Sequence, residues 1–262
     1  MRRSPYGIQL HHKALTLLRA DVPNHRVAKE CGVPAGTIAY WKHEDRKKRG
    51  DPLPGKGVSR AFCPICGNGE LSERAYSYLL GLYLGDGHVM PQKNGTVKLT
   101  IACCDGWPDL IRQAEKAMAV VLPIASVSRR QRQGCTDVQS HSKHWLCLFP
   151  QHGPGKKHNR PIVLSPWQQR IVEGHTRDFL RGLIHSDGCR FTNRIVHRRP
   201  SGERVYEYAG YAFSNKSVDI LNLCGWALDR LGVAWRYSRK DLIAVTRRAS
   251  VEQLDDFIGP KS

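Results

Sequence analysis

Apolar and small residues recur three and four apart between residues 7 and 43. Leu10, Ala14, Leu17 and Leu18 share one face of a helix predicted from about Ile8 to Arg19. Pro23 opens a short second helix through Cys31, Gly32-Val33-Pro34 turns the chain, and a third helix runs from Ala35 to about Lys42. The spacing Val27-Ala28-(x3)-Gly32-Val33-(x4)-Ile38-(x2)-Trp41 is that of a helix-turn-helix. A small Ala28 lets two helices approach, Gly32 takes a turn conformation that a Cβ would penalise, and Ile38 and Trp41 plug the third helix onto the core. We expect this small all-α domain over residues 1–45. A basic, Pro- and Gly-rich linker follows over 46–71 and ends in Cys63-Pro64-Ile65-Cys66-Gly67.

From residue 72 the hydrophobic pattern repeats itself. Ser72 to Asp86 reads as an apolar helix ending Leu79-Leu80-Gly81-Leu82-Tyr83-Leu84-Gly85-Asp86-Gly87. Arg177 to Asp187 reads as another, ending Leu180-Arg181-Gly182-Leu183-Ile184-His185-Ser186-Asp187-Gly188, and the two Asp lie 101 positions apart. Each is followed by a predicted hairpin, His88–Met90 with Thr96–Cys104 and Arg190–Arg199 with Arg204–Ser214, around Gly-containing turns. Helices are predicted over Trp107–Leu122 and Lys216–Leu231. Strands follow over Ser126–Arg132 with Trp145–Phe149, and over Ala234–Arg239 with Leu242–Thr246; Ser250–Ile258 closes the second copy. The order is α-β-β-α-β-β-α, written twice, over 72–165 and 166–262.

Charge sharpens the picture. The 262 residues carry 41 Lys+Arg against 23 Asp+Glu, a formal +18, so the surface attracts polyanions, nucleic acid first among them. With 40% hydrophobic residues the chain is globular. Its longest apolar run, Ala117 to Val127, is interrupted by Pro123 and falls short of the ~20 residues of a membrane span. The N-terminus has a basic start without an apolar region, so we expect a cytoplasmic protein whose nine cysteines are reduced.

Gly81 and Gly85 lie on one helix face, as do Gly182 and Ser186, so the two helices can pack almost backbone to backbone and end side by side. Gly87 and Gly188 are expected to cap them in a left-handed conformation. That pairing brings Asp86 and Asp187 together, where like charges raise each other's pKa unless a cation intervenes, and Mg²⁺ or Mn²⁺ suits such a site. A metal there would activate water beside a phosphodiester.

The two nine-residue segments resemble the LAGLIDADG motif, and the repeat is similar to a single-chain, two-motif LAGLIDADG homing endonuclease over about residues 72–262. The resemblance implies an α+β fold: tandem αββαββα repeats with pseudo-two-fold symmetry, forming a saddle over duplex DNA. It also implies Asp86 and Asp187 as metal ligands, cleavage of both strands, and a lysine near each scissile phosphate. Lys157, in Gly155-Lys156-Lys157-His158-Asn159-Arg160, is the candidate for the first, with Lys156 and Arg160 as competitors; Lys240 is the candidate for the second. The protein is expected to be monomeric, its two-fold symmetry internal.

Basic residues stand where a DNA-facing sheet needs them. They are Lys93, Lys98, Arg129, Arg130 and Arg132 in the first copy, and Arg190, Arg194, Arg198, Arg204 and Arg239 in the second, with strand alternation aiming roughly half at DNA. Gln92, Asn94, Gln131, Gln133, Asn193 and Asn215 are candidates for base edges. In the N-terminal unit Thr37 and Tyr40 stand at groove-facing positions, beside Ala35, Gly36, Ala39 and His43. The lone Cys63-x2-Cys66 offers two of the four ligands that structural zinc needs; His43 or Cys31 are candidate donors of others, and a metal-free knuckle is the competing reading. Two functions follow: a metal-dependent double-strand DNA endonuclease, or a non-cleaving DNA-binding transcription regulator on the same fold.

Overall fold

The computed structural model describes residues 6–20, 22–49, 63–93, 95–199, 202–259 and 261, and the chain divides into two units, Met1–Ala61 and Phe62–Ser262. In the first unit, α1 (Ile8–Arg19), α2 (Asn24–Cys31) and α3 (Ala35–Arg49) enclose Ala14, Leu18, Val27, Cys31, Val33, Ile38 and Trp41. Gly32 turns the chain between α2 and α3 at φ +64°, the left-handed conformation expected of it. Helix α3 runs a further two turns past Lys42, so the basic run 46–49 expected in the linker is helical. The extension is held by Asp45, which is buried and accepts from Arg19 Nη2 at 2.6 Å and Arg49 Nε at 3.1 Å. The rest of the linker, 50–62, lies outside the described residues, and the Cys63 knuckle belongs to the second unit.

The second unit is built on α4 (Glu73–Asp86), whose middle is buried all round, and α8 (Thr176–Asp187). After α4 come β1 (Gly87–Pro91), β2 (Val97–Cys104), α5 (Pro108–Val121), β3 (Val127–Arg132), β4 (Cys135–His141), the single turn α6 (Trp145–Leu148) and α7 (Pro166–Gly174). After α8 come β5 (Gly188–Arg199), β6 (Gly202–Ser214), α9 (Val218–Arg230), β7 (Arg236–Arg239), β8 (Leu242–Val245) and α10 (Arg248–Ile258). Each copy makes a four-stranded antiparallel sheet with the same order, β1-β2-β4-β3 and β5-β6-β8-β7. This is the α+β double repeat that the sequence implied.

One strand lies elsewhere than expected. Trp145-Leu146-Cys147-Leu148-Phe149 is a helical turn, with Trp145, Leu148 and Phe149 fully buried at helical spacing. The strand is instead the polar segment Cys135–His141, whose Thr136, Asp137, Gln139 and Ser140 are buried because β4 is flanked by β2 and β3. A central strand satisfies its backbone with neighbours on both sides, so its side chains need not be apolar.

Alternation assigns each sheet a helix-covered face and an outer face. Val89, Leu99, Ile101 and Val138 form the covered face of the first sheet. Its outer face carries His88, Lys98, Arg130 and Arg132. In the second sheet Tyr211, Phe213, Ile243 and Val245 are covered, and Asn193, Arg204, Arg236 and Arg239 lie outward. No described helix is long and apolar enough to cross a membrane.

Candidate metal centre between the two motif helices

Helices α4 and α8 meet at their glycines. A Cβ on Gly81 would stand 2.4 Å from Phe179 O and 2.7 Å from Leu183 N, and one on Gly182 would stand 2.2 Å from Tyr78 O. Only hydrogen at these positions lets the two backbones lie in contact. The contact continues to the helix ends, where a Cβ on Gly85 would meet Ser186 Oγ at 2.2 Å and Asp187 Oδ2 at 2.9 Å. The expected left-handed caps are absent. Gly87 (φ −84°, ψ 147°) and Gly188 (φ −106°, ψ 170°) are extended and begin β1 and β5. Their glycine character has another cause: a Cβ would strike the preceding turn, at 2.4 Å from Tyr83 Cα and 2.8 Å from Ile184 Cα.

The close packing delivers Asp86 and Asp187 to one half-buried place. Burial, then the neighbouring Asp187 charge, pushes the Asp86 carboxyl up to about 6. Burial also raises Asp187, against the pull of Asn215, whose Nδ2 donates to Asp187 Oδ2 at 2.6 Å. Asn215 was a candidate for base contact; here it orients a carboxylate. The cleft beside Asp187, about 350 Å³, is lined also by Lys157, His158, Ser214 and Lys216. Ser214 belongs to the outer face of the second sheet, so the cleft beside Asp187 opens at that face, next to Asp241.

Two lysines flank the pair. Lys157 Nζ donates to Leu84 O at 3.0 Å, Gly85 O at 2.7 Å and Tyr83 O at 2.5 Å, carbonyls of the last turn of α4. All three of its protons are thus used, and its charge sits against the negative end of the helix. Burial lowers Lys157 to about 8 while both aspartates hold it up. Lys261 Nζ does the same for the second helix, donating to Ser186 O at 3.1 Å and to Gly188 O. Burial lowers Lys261 too, against the raising influence of Asp86, then Cys189 and Asp187. Lys240, the lysine expected in this role, stands exposed on the turn between β7 and β8. The signal for Lys261 was in the spacing: it follows Asp187 by 74 residues, as Lys157 follows Asp86 by 71. Lys156 is exposed, and Arg160 Nη1 donates to Gln151 O.

The donor set fits a hard divalent cation. Two oxygen ligands whose ionisation is opposed by burial and by each other lose that opposition when a cation lies between them. His185, which replaces an acidic motif position, takes no part. It is buried, with Nδ1 3.0 Å from Tyr78 Oη and Nε2 2.9 Å from Ile258 O, so Nε2 donates and Nδ1 accepts, and burial lowers it to about 4.

The candidate DNA contacts divide by face. Lys98, Arg130, Arg132, Arg204 and Arg239 lie on the outer faces, and Lys93 is exposed in the β1–β2 turn. Arg129 points to the helix side and grips Glu115 at 2.5 Å; Arg190 does likewise with Asp255 at 2.8 Å. Arg194 and Arg198 share that side, Arg198 bonded to Glu203 at 2.9 Å. Gln131 is turned the same way and donates to Asp105, while Asn94 lies outside the described residues. In the first unit Tyr40 is exposed and Thr37 half-buried. Cys63 and Cys66 meet His144 and Cys147 rather than a second C-x2-C.

The chain matches no family profile and no curated protein sequence. Among solved structures it is similar to the homing endonuclease I-DmoI in complex with DNA and Mn, at TM-score 0.46 and 14% identity over 72% of this chain and 98% of that one. It is similar also to the LAGLIDADG meganuclease I-AabMI bound to uncleaved DNA (TM-score 0.43, 11% identity, 70% and 82% covered). A third is the N-terminal LAGLIDADG domain of DUF199/WhiA (TM-score 0.44, 12% identity, 79% and 91% covered). These are LAGLIDADG proteins, the family whose motif the ends of α4 and α8 resemble.

Proposed function

We propose that the protein is a site-specific, divalent-metal-dependent endonuclease acting on double-stranded DNA. The observation that carries this reading is the pair Asp86 and Asp187, held together by glycine-packed helices between two lysines. The cleft beside Asp187 reaches the outer face of the second sheet, which carries Arg204, Arg236 and Arg239. Asp86 and Asp187 would hold Mg²⁺ or Mn²⁺, which supplies an activated water and neutralises charge developing on the phosphoryl group. Asn215 fixes Asp187 in one orientation. Lys157 and Lys261 cancel the helix-end charge that would otherwise repel a phosphodiester, and to touch a phosphate oxygen Lys157 must give up a backbone carbonyl. Lys98, Arg130, Arg132, Arg204 and Arg239 track the duplex backbone, and the three-helix unit adds phosphate and base contacts through Tyr40 and Thr37.

The test is incubation of a plasmid library with the full chain and Mg²⁺ or Mn²⁺, with Asp86→Asn and Asp187→Asn alongside. Linear product that vanishes in both variants, with DNA binding retained, is the expected result. Cleavage unchanged in both removes the site. The second reading, a transcription regulator, is favoured by the separate three-helix unit; it predicts salt-dependent binding to a defined duplex with no strand scission under any metal.

A further inference from the structure

A second cluster of ligand-type side chains lies apart from the aspartates. The chain after Cys63 folds into a tight loop in which Gly67 N and Gly69 N donate to Cys63 O at 3.0 and 3.3 Å, while Cys66 N approaches Cys63 Sγ at 3.5 Å. This turns both sulfurs to one side. Facing them is the start of α6, where His144 N donates to Ser142 Oγ at 3.2 Å and Cys147 N to His144 O at 3.0 Å. That turn puts His144 and Cys147 on one side of the helix. Cys66 Sγ stands 3.2 Å from His144 Nδ1, and Cys147 Sγ 3.9 Å from it. All four ligand atoms lie within 4.8 Å of one another.

Four donors around tetrahedral zinc, with Zn–S of about 2.3 Å and Zn–N of about 2.0 Å, stand roughly 3.5–3.8 Å apart. The cluster needs a closure of at most about 1 Å to reach that geometry. Three sulfurs and one imidazole are soft donors, unlike the oxygen pair of Asp86 and Asp187, and prefer zinc to magnesium. Four protein ligands leave no open position, which is the mark of a structural site. The spacings, C-x2-C and H-x2-C, join segments 78 residues apart.

We propose that Cys63, Cys66, His144 and Cys147 bind one structural zinc ion that staples the segment before α4 to the loop carrying Lys157. The loop has a reason to be held. Between His141 and Pro166 its regular structure amounts to two short turns, Trp145–Leu148 and Lys157–Asn159. Yet Leu148 O accepts from Tyr76 at 2.6 Å and Phe149 stacks on Tyr83 at 4.2 Å, both against α4. The zinc fixes α6, α6 fixes these contacts, and the same loop then delivers Lys157 to the end of α4.

The full chain is purified without chelator under reducing conditions and its metal measured by mass spectrometry. One zinc per chain is expected. Replacement by Co²⁺ should give sulfur-to-cobalt charge-transfer bands and tetrahedral d–d bands. Cys66→Ser and Cys147→Ser, at the exposed and half-buried ligands, should reduce zinc at least tenfold and weaken the charge-transfer band. Cys104→Ser, an exposed thiol outside the cluster, should keep one zinc. A folded, reduced parent chain that carries no zinc and takes up no cobalt overturns the proposal, as does a Cys63–Cys66 disulfide in freshly isolated protein. None of these readouts depends on DNA cleavage.

Discussion

At the residue scale, Asp86 titrates against the direction of most carboxylates. Its folded value of about 6 lies above the unfolded 3.8, so between those values the folded chain binds more protons than the unfolded one. Stability from this group is therefore present at low pH and lost as pH rises through about 6. Above that, the ionised carboxylate costs roughly 3 kcal/mol until a cation offsets it. We expect metal-free Asp86→Asn to melt several degrees above the parent at pH 8, and the gap to shrink toward zero near pH 4. Mg²⁺ or Ca²⁺ should raise the parent's Tm at pH 8 and leave the Asp86→Asn, Asp187→Asn double variant unmoved. His185, lowered to about 4, gives the opposite slope, lost as pH falls from its ordinary 6.5. The difference between parent and variant cancels that term. Calorimetric scans across pH that show no gain from Asp86→Asn would mean the carboxylate is neither desolvated nor crowded.

At the scale of elements, the α4–α8 contact decides where the carboxylates stand. Gly81→Ala and Gly182→Ala push against backbone atoms that cannot yield separately, so each should lower stability by about 1–3 kcal/mol despite the better helix propensity of Ala. Gly85→Ala meets instead the Ser186 side chain and the Asp187 carboxylate. Its expected effect is a smaller loss of Tm with a clear loss of divalent-ion affinity, read by titration calorimetry. Equal effects on stability and affinity at all three positions would contradict the view that the contact near the helix ends serves the carboxylates.

At the scale of the molecule, the +18 charge predicts strong, salt-dependent DNA binding, but the two sides of each sheet should contribute unequally. Arg130→Ala, Arg204→Ala and Arg239→Ala, on the outer faces, should each flatten the slope of log K against log salt by up to about 0.9. Arg129→Ala and Arg190→Ala lose partly exposed, solvent-screened ion pairs with Glu115 and Asp255, and should leave that slope unchanged. Fluorescence anisotropy over a salt series separates the two groups; identical slopes for all five would mean that the outer faces are not the binding surface.

Local pattern carried much of this protein. Periodicity placed α1 and α2 to the residue or nearly so, and the repeat of Gly-x3-small helices ending in Asp announced the double αββαββα unit and its two carboxylates. Those are properties of short segments, where spacing alone selects a helix or a turn. What local pattern could not supply was any quantity set by a neighbour distant in the chain. Cys135–His141 is a strand because β2 and β3 flank it, and Trp145–Phe149 is a helical turn because the core closes over three of its side chains. Arg129 and Arg130 are adjacent in sequence, yet one grips a helix and the other faces outward. Lys261 reaches the end of α8 and His144 meets Cys66 only after the sheets have packed. Sequence determined the elements, because hydrogen bonding and side-chain period are local. Tertiary structure alone decided which face, which partner and which charge each residue meets, because those energies depend on distances that only packing sets.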